Sequence, residues 1–159
     1  MKIKNNLKTD NNPVTIREAC REDIDELAPL FAAFRVFYKQ DFELEKSSVF
    51  LKERFRLKDS VIFIAVINGE IGGFVQLFPT FTTIGLSPIW ILNDLFVSPK
   101  FRNRQIAQKL IDKVLLYSKM SCRTKVRLSA AFDNHTAQRL YEKTGFTKTN
   151  FYNYEIEAK

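Results

Sequence analysis

Apolar positions in this chain recur first at strand spacing, then at helical spacing, and the changes of period mark its elements. Residues 14–17 read as a short strand. From Arg21-Glu22-Asp23 onward, Ile24, Leu27, Leu30, Phe31, Phe34, Phe37 and Tyr38 fall on one stripe of a helix. A second helical segment covers 43–55, with Val49, Leu51 and Phe55 apolar among charges. Residues 60–67 form an apolar strand, Asn68-Gly69 carries the signature of a type I′ hairpin turn, and 71–81 is the partner strand. Inside that partner, Gly72-Gly73 marks a bulge or a close backbone approach. Residues 80–88 are the least regular interior stretch and read as a binding loop or an ordinary hairpin connection.

The middle of the chain organises the rest. A strand over 90–97 mixes β-branched and aromatic residues, Ser98-Pro99 opens a basic turn, and a long helix follows with Ile106, Ala107, Leu110, Ile111, Val114 and Leu115 on its inward stripe. Residues 125–131 give a further strand, Asp133-Asn134 signals a helix start, and Gly145 stops that helix in the left-handed manner. Alternation over 151–156 predicts a last strand. Strands alternating with helices imply an α/β (α+β) domain in three layers, with a mixed central β-sheet flanked by helices on both faces.

Composition narrows the class. At 159 residues, one domain suffices, because a chain of this size buries roughly 70% of its extended surface. Residues 1–12 are rich in Lys and Asn and are expected to form a mobile leader, with a single domain over 13–159. A 45% hydrophobic content with 15 Phe excludes a disordered protein. No apolar run approaches the ~20 residues of a membrane span and no signal-peptide core follows Met1, so neither membrane nor secretion is expected and the location is read as cytoplasmic. Cys20 and Cys122 stand in segments unlike any metal-ligand spacing, so no metal is expected and both are read as reduced thiols. The net charge of +7 suits an anionic cofactor better than a nucleic acid, since the cations are dispersed and no RNA-binding motif accompanies them.

The strand, turn and helix of 90–118 have the makings of a phosphate site. A helix start leaves backbone N–H groups without partners, its dipole adds positive charge, and Lys100, Arg102 and Arg104 crowd the same end. The block resembles the acetyl-CoA segment of the GNAT (GCN5-related) N-acetyltransferases, Q/R-x-x-G-x-G/A after a strand ending in a hydrophobic residue and Val. Arg102 fits its first position and Ala107 its last, while Gln105 stands where the family usually has glycine. Asn134 to Phe146 is similar to a second family signature, N-x-x-A-x-x-L-Y-x-x-x-G-F, with every named position filled.

The resemblance implies the site. Leu95, Phe96 and Val97 would offer backbone groups to the pantetheine arm, and the amides of Arg102, Asn103, Arg104, Gln105, Ile106 and Ala107 would cradle the pyrophosphate. Asn134 would bond the cofactor's amide arm, and Tyr141 would protonate the departing thiolate. Relatives with Leu-Glu-Asp use the Glu as base where this chain has Leu92-Asn93-Asp94. Asn93 cannot take a proton. Asp94 could do so through water, although regular alternation turns it to the opposite face unless a bulge intervenes. Phe34, Tyr38, Asn93 and Asp94 are the expected acceptor-binding residues. The implied activity is acetyl-CoA-dependent N-acetylation of a primary amine, on a polyamine, an amino-acid-like molecule or a lysine side chain, by a homodimer resembling the Hpa-type and polyamine acetyltransferase branch. The alternative is an acyl-CoA-binding module of the same fold with weak or no turnover.

Overall fold

The computed structural model describes residues 13–158, so the leader expected over 1–12 lies outside the described residues. The chain divides into two compact units, one ending at Leu128 and one beginning at Ser129, and each is described by itself.

The first unit is a five-stranded sheet in sequence order, β1 (Val14–Glu18), β2 (Val61–Ile67), β3 (Glu70–Thr82), β4 (Ser87–Val97) and β5 (Val126–Arg127). Neighbours pair antiparallel except β4 with β5, which run parallel. Helices α1 (Ile24–Phe37) and α2 (Leu44–Leu57) cover one face, where Leu27, Phe31 and Leu51 pack on Ile62, Ile64, Phe74 and Phe96. Helix α3 (Ile106–Met120) covers the other, with Ile106, Leu110 and Val114 against Phe63, Val75, Leu77, Trp90 and Leu92. The expected mixed sheet flanked on both faces is therefore present.

Two bulges break the strand alternation. In β3 the register jumps from Ala65↔Gly73 to Val66↔Ile71, leaving Gly72 as the extra residue. Both expectations for that glycine hold: a Cβ there would lie 2.4 Å from Ile67 Cδ1 and 2.7 Å from Phe101 Cδ2. Phe101 is thus buried in space that only glycine leaves open. In β4 the register jumps from Gln76↔Asp94 to Leu77↔Leu92, which leaves Asn93 unpaired. Trp90 and Leu92 face α3, and after the bulge Leu95 and Val97 do so, while Phe96 faces α1.

Several sequence-based boundaries change. Residues 80–88 form a hairpin connection: β3 continues to Thr82, β4 starts at Ser87, and Thr80↔Ile89 and Phe81↔Pro88 pair across it. Pro79 is tolerated because β2 pairs with β3 only as far as Leu77, so Pro79 lies on an open edge. The strand expected over 125–131 shrinks to two residues.

The second unit contains helix α4 (His135–Lys143). Asn134 caps it, its Oδ1 accepting from the Ala137 N–H at 3.1 Å. Gly145, at φ +95°, closes it: its N–H reaches the Glu142 carbonyl at 3.1 Å and the Phe146 N–H reaches that of Tyr141 at 3.0 Å. This pair of bonds is a Schellman motif, and the Tyr141 and Phe146 rings, 5.8 Å apart, supply its apolar contact. The strand expected over 151–156 is absent, and Phe151, Tyr152, Tyr154 and Ile156 are exposed. Alternation makes a strand only where another strand offers its edge, and residues 129–158 contain none.

Candidate functional site

Strand β4 feeds directly into the basic turn. Beyond Ile91 it pairs with no strand on the β5 side among the described residues, so its edge from Leu92 to Val97 is open on that side. The side chains of Leu95 and Val97 pack, partly buried, against the α3-side core and Phe96 is 7% exposed, so what these three residues chiefly offer a ligand is their backbone. The same holds for Ile106, 2% exposed at the start of α3.

The turn is built on Phe101. Its buried ring carries Lys100 Nζ at 4.9 Å and the Arg104 guanidinium at 5.7 Å, and Lys100 also pairs with Glu70 at 2.5 Å. Arg102 donates from Nε to the Val97 carbonyl at 3.2 Å and lies 6.0 Å over the Phe96 ring, which ties the turn to the strand end. Asn103 and Gln105 both adopt left-handed backbone, at φ 63° and 58°. Gln105 thus takes the conformation that glycine adopts without strain, at a cost of about 1 kcal/mol. It precedes the first residue of α3 and makes no side-chain cap bond, so the first-turn N–H groups of a 15-residue helix are left for another acceptor. Open strand edge, left-handed turn, cations and uncapped helix start together fit a pyrophosphate followed by an extended amide-bearing arm.

The other pole lies on the α1 face. Because Asn93 bulges outward, Asp94 takes the face that unbroken alternation would have given Asn93. The intervening bulge that the sequence left open is therefore present. Asp94 is 8% exposed, and its Oδ2 accepts from Asn93 Nδ2 at 3.1 Å. Burial pushes its carboxyl up to about 6, and the Asn93 bond only partly opposes this. Its charge in turn adds to burial in raising the Tyr38 phenol. Tyr38 meets Phe34 edge-on at 5.1 Å, and Phe34 meets Phe96 at 5.9 Å. Phe34, Tyr38, Asn93 and Asp94, named from the sequence as acceptor-binding residues, are thus brought to one region.

Sequence reasoning missed Gln76 and Phe101. Gln76 lies in register opposite Asp94, is fully buried, donates from Nε2 to Ser60 Oγ at 2.9 Å, and has no partner for Oε1 among the described residues. A lone amide in the apolar run Phe74-Val75-Gln76-Leu77-Phe78 was the signal. Phe101 between Lys100 and Arg102 was the other. Asn134 and Tyr141 belong to the second unit, where they cap α4 and join its Schellman contact.

Residues 25–146 match the Acetyltransferase (GNAT) family. An uncharacterised N-acetyltransferase of Bacillus subtilis is 38% identical over 142 residues, 89% of this chain and 95% of that protein. A crystal structure of a probable acetyltransferase superposes with a TM-score of 0.85 at 36% identity, covering 91% of this chain and 98% of that one. At 19% identity, an aminoglycoside N-acetyltransferase crystallised with CoA shares the fold, with a TM-score of 0.79 over 95% of this chain and 99% of its own. The chain belongs to the GNAT family and is an N-acetyltransferase.

Proposed function

We propose that this enzyme transfers the acetyl group of acetyl-CoA to the primary amine of a small cationic molecule, within one domain over 13–159. The observation that carries this reading is Asp94: a nearly buried carboxylate raised to about 6, on the strand whose far end enters the basic turn. A carboxylate of that strength is largely ionised at neutral pH, so it holds an ammonium, and it accepts a proton once bond formation makes the amine nitrogen acidic. Bound acetyl-CoA supplies an activated acetyl thioester. The first-turn amides of α3 with Arg102 and Arg104 hold the pyrophosphate, and the open backbone of Leu95 to Val97 aligns the arm. Asp94, directly or through water, takes the proton that the amine loses as its C–N bond forms. Tyr141 donates its phenolic proton to the sulfur released as the C–S bond breaks, and Asn134 supports the arm. These two roles rest on the complete second signature. Within the broad acceptor class, polyamines, amino-acid-like amines and lysine side chains share the cationic nitrogen that Asp94 suits.

The family's chemistry needs no metal, and a cytoplasmic homodimer free of nucleic acid and membrane completes the reading. Among the described residues no helix is long and apolar enough to cross a membrane. The test is CoA release in the presence of a panel of primary amines, with Tyr141→Phe alongside. We expect turnover with at least one amine and a roughly 10–1000-fold lower kcat in the variant at unchanged acetyl-CoA affinity. Release that no amine accelerates would overturn the transfer reaction, and equal kcat in the variant would remove Tyr141 from it.

A further inference from the structure

Acetyl transfer requires a base and a cofactor cradle, yet the α1 face carries something more. Phe31 stacks on Phe74 at 5.2 Å inside the core, and Phe34 extends that cluster outward, 5.8 Å from Phe74 and 5.1 Å from Tyr38. Phe37 adds an edge-on contact to Tyr38 at 5.2 Å. The outer rings are open to solvent, Phe37 at 52% and Tyr38 at 48%. Here a continuous aromatic path leads from the surface to the neighbourhood of Asp94, whose charge is felt by the Tyr38 phenol.

We propose that the acceptor is a monoamine on a short chain carrying a flat apolar body, which lies on Phe34, Phe37 and Tyr38 while its ammonium meets Asp94. The proposal rests on the transfer reaction assigned above and narrows its acceptor. Ring faces attract a cation and an apolar body alike, so both parts of such a molecule are matched. A polycation is matched less well, because Asp94 is the one buried carboxylate among the described residues and Glu43, at the start of α2, is taken by Arg35 at 2.8 Å and by Lys46.

The experiment compares kcat/KM at saturating acetyl-CoA for phenethylamine, spermidine, an aminoglycoside and a lysine-containing peptide, in the wild type, Phe37→Ala and Phe37→Trp. The expected result is a preference of at least about tenfold for phenethylamine. Phe37→Ala should raise its KM about 3- to 30-fold while leaving the acetyl-CoA KM and the circular dichroism unchanged, and Phe37→Trp should restore it. Preference for spermidine, the aminoglycoside or the peptide overturns the proposal and leaves acetyl transfer standing. So does a Phe37→Ala effect that is equal for all four amines. If no amine is acetylated, the transfer reaction fails and this acceptor assignment falls with it.

Discussion

Strand β4 serves two regions of opposite chemistry. At its end, Lys100, Arg102 and Arg104 precede a helix start without a side-chain cap, and what that end offers a ligand is backbone N–H groups and positive charge. A few residues earlier lies the one nearly buried carboxylate among the described residues, near aromatic rings, and what that region offers is side chains. The anion pole is exposed, redundant and built from local turn geometry. The cation pole depends on one residue whose placement is decided by one bulge. Redundancy makes the first tolerant of substitution, whereas the second has no substitute for Asp94.

The largest separation of the two poles is expected from Asp94→Asn. Its kcat/KM for the amine should fall about 10²–10³-fold at pH 8, while acetyl-CoA affinity stays within a few-fold. In the wild type, only ionised Asp94 accepts the proton, so kcat/KM should drop about tenfold per pH unit below about 6, and the variant should lack this limb. A parallel loss of acetyl-CoA affinity, or an acid limb that persists in the variant, would show that the poles are not independent.

Gly72→Ala tests the pole at the other end. The new Cβ meets Ile67 at 2.4 Å and Phe101 at 2.7 Å, so the ring beneath Lys100 and Arg104 must move. Overpacking of this kind costs about 1–3 kcal/mol of stability. We expect that loss by urea unfolding, together with a raised acetyl-CoA Kd and an unchanged acceptor preference. Unaltered stability and Kd would mean that Phe101 does not hold the turn in place.

The contrast also explains what could be read from sequence. The basic turn was legible because contiguous residues define it: Pro99, the cations and the start of the α3 stripe occupy one short stretch. Asn68-Gly69 and Gly145 were legible for the same reason, each fixing a local conformation. The face of Asp94 was not, since it depends on the Asn93 bulge, which arises only when β4 pairs with β3. Long-range pairing likewise carried β3 through Pro79 to Thr82 and opposed Gln76 to Asp94. The second signature was legible as a pattern, and its ends prove to be helix caps. Its catalytic meaning therefore rests on Tyr141→Phe kinetics.

A further consequence of the buried carboxylate concerns stability. The folded Asp94 lies at about 6, above its ordinary 3.8, so the native state holds the proton more tightly than the unfolded chain. Its stabilising contribution is complete below about pH 4 and lost as pH rises through about 6. Asp94→Asn cannot lose a proton, so its stability relative to wild type should improve by about 2 kcal/mol between pH 4 and pH 8. Unfolding by urea at both pH values measures this, and a constant difference would mean that the carboxylate is better solvated than its 8% exposure implies.

The smallest effect is expected at Gln105, because the anion pole is redundant there. Gln105 already holds the left-handed backbone that family glycine would adopt, so Gln105→Gly leaves the direction of the neighbouring N–H groups unchanged. Removing the side chain relieves about 1 kcal/mol of strain in the folded state, and the freer unfolded chain offsets much of it. Stability should therefore change by less than about 1 kcal/mol, and acetyl-CoA affinity should stay within about threefold or tighten slightly. Calorimetric titration reads the affinity directly. If the native protein shows no heat at ~1 mM acetyl-CoA, above the usual range of cofactor KM values, and Gln105→Gly restores binding, the side chain blocks the pyrophosphate. The cations around Phe101 would then be the remains of a site and not a working one.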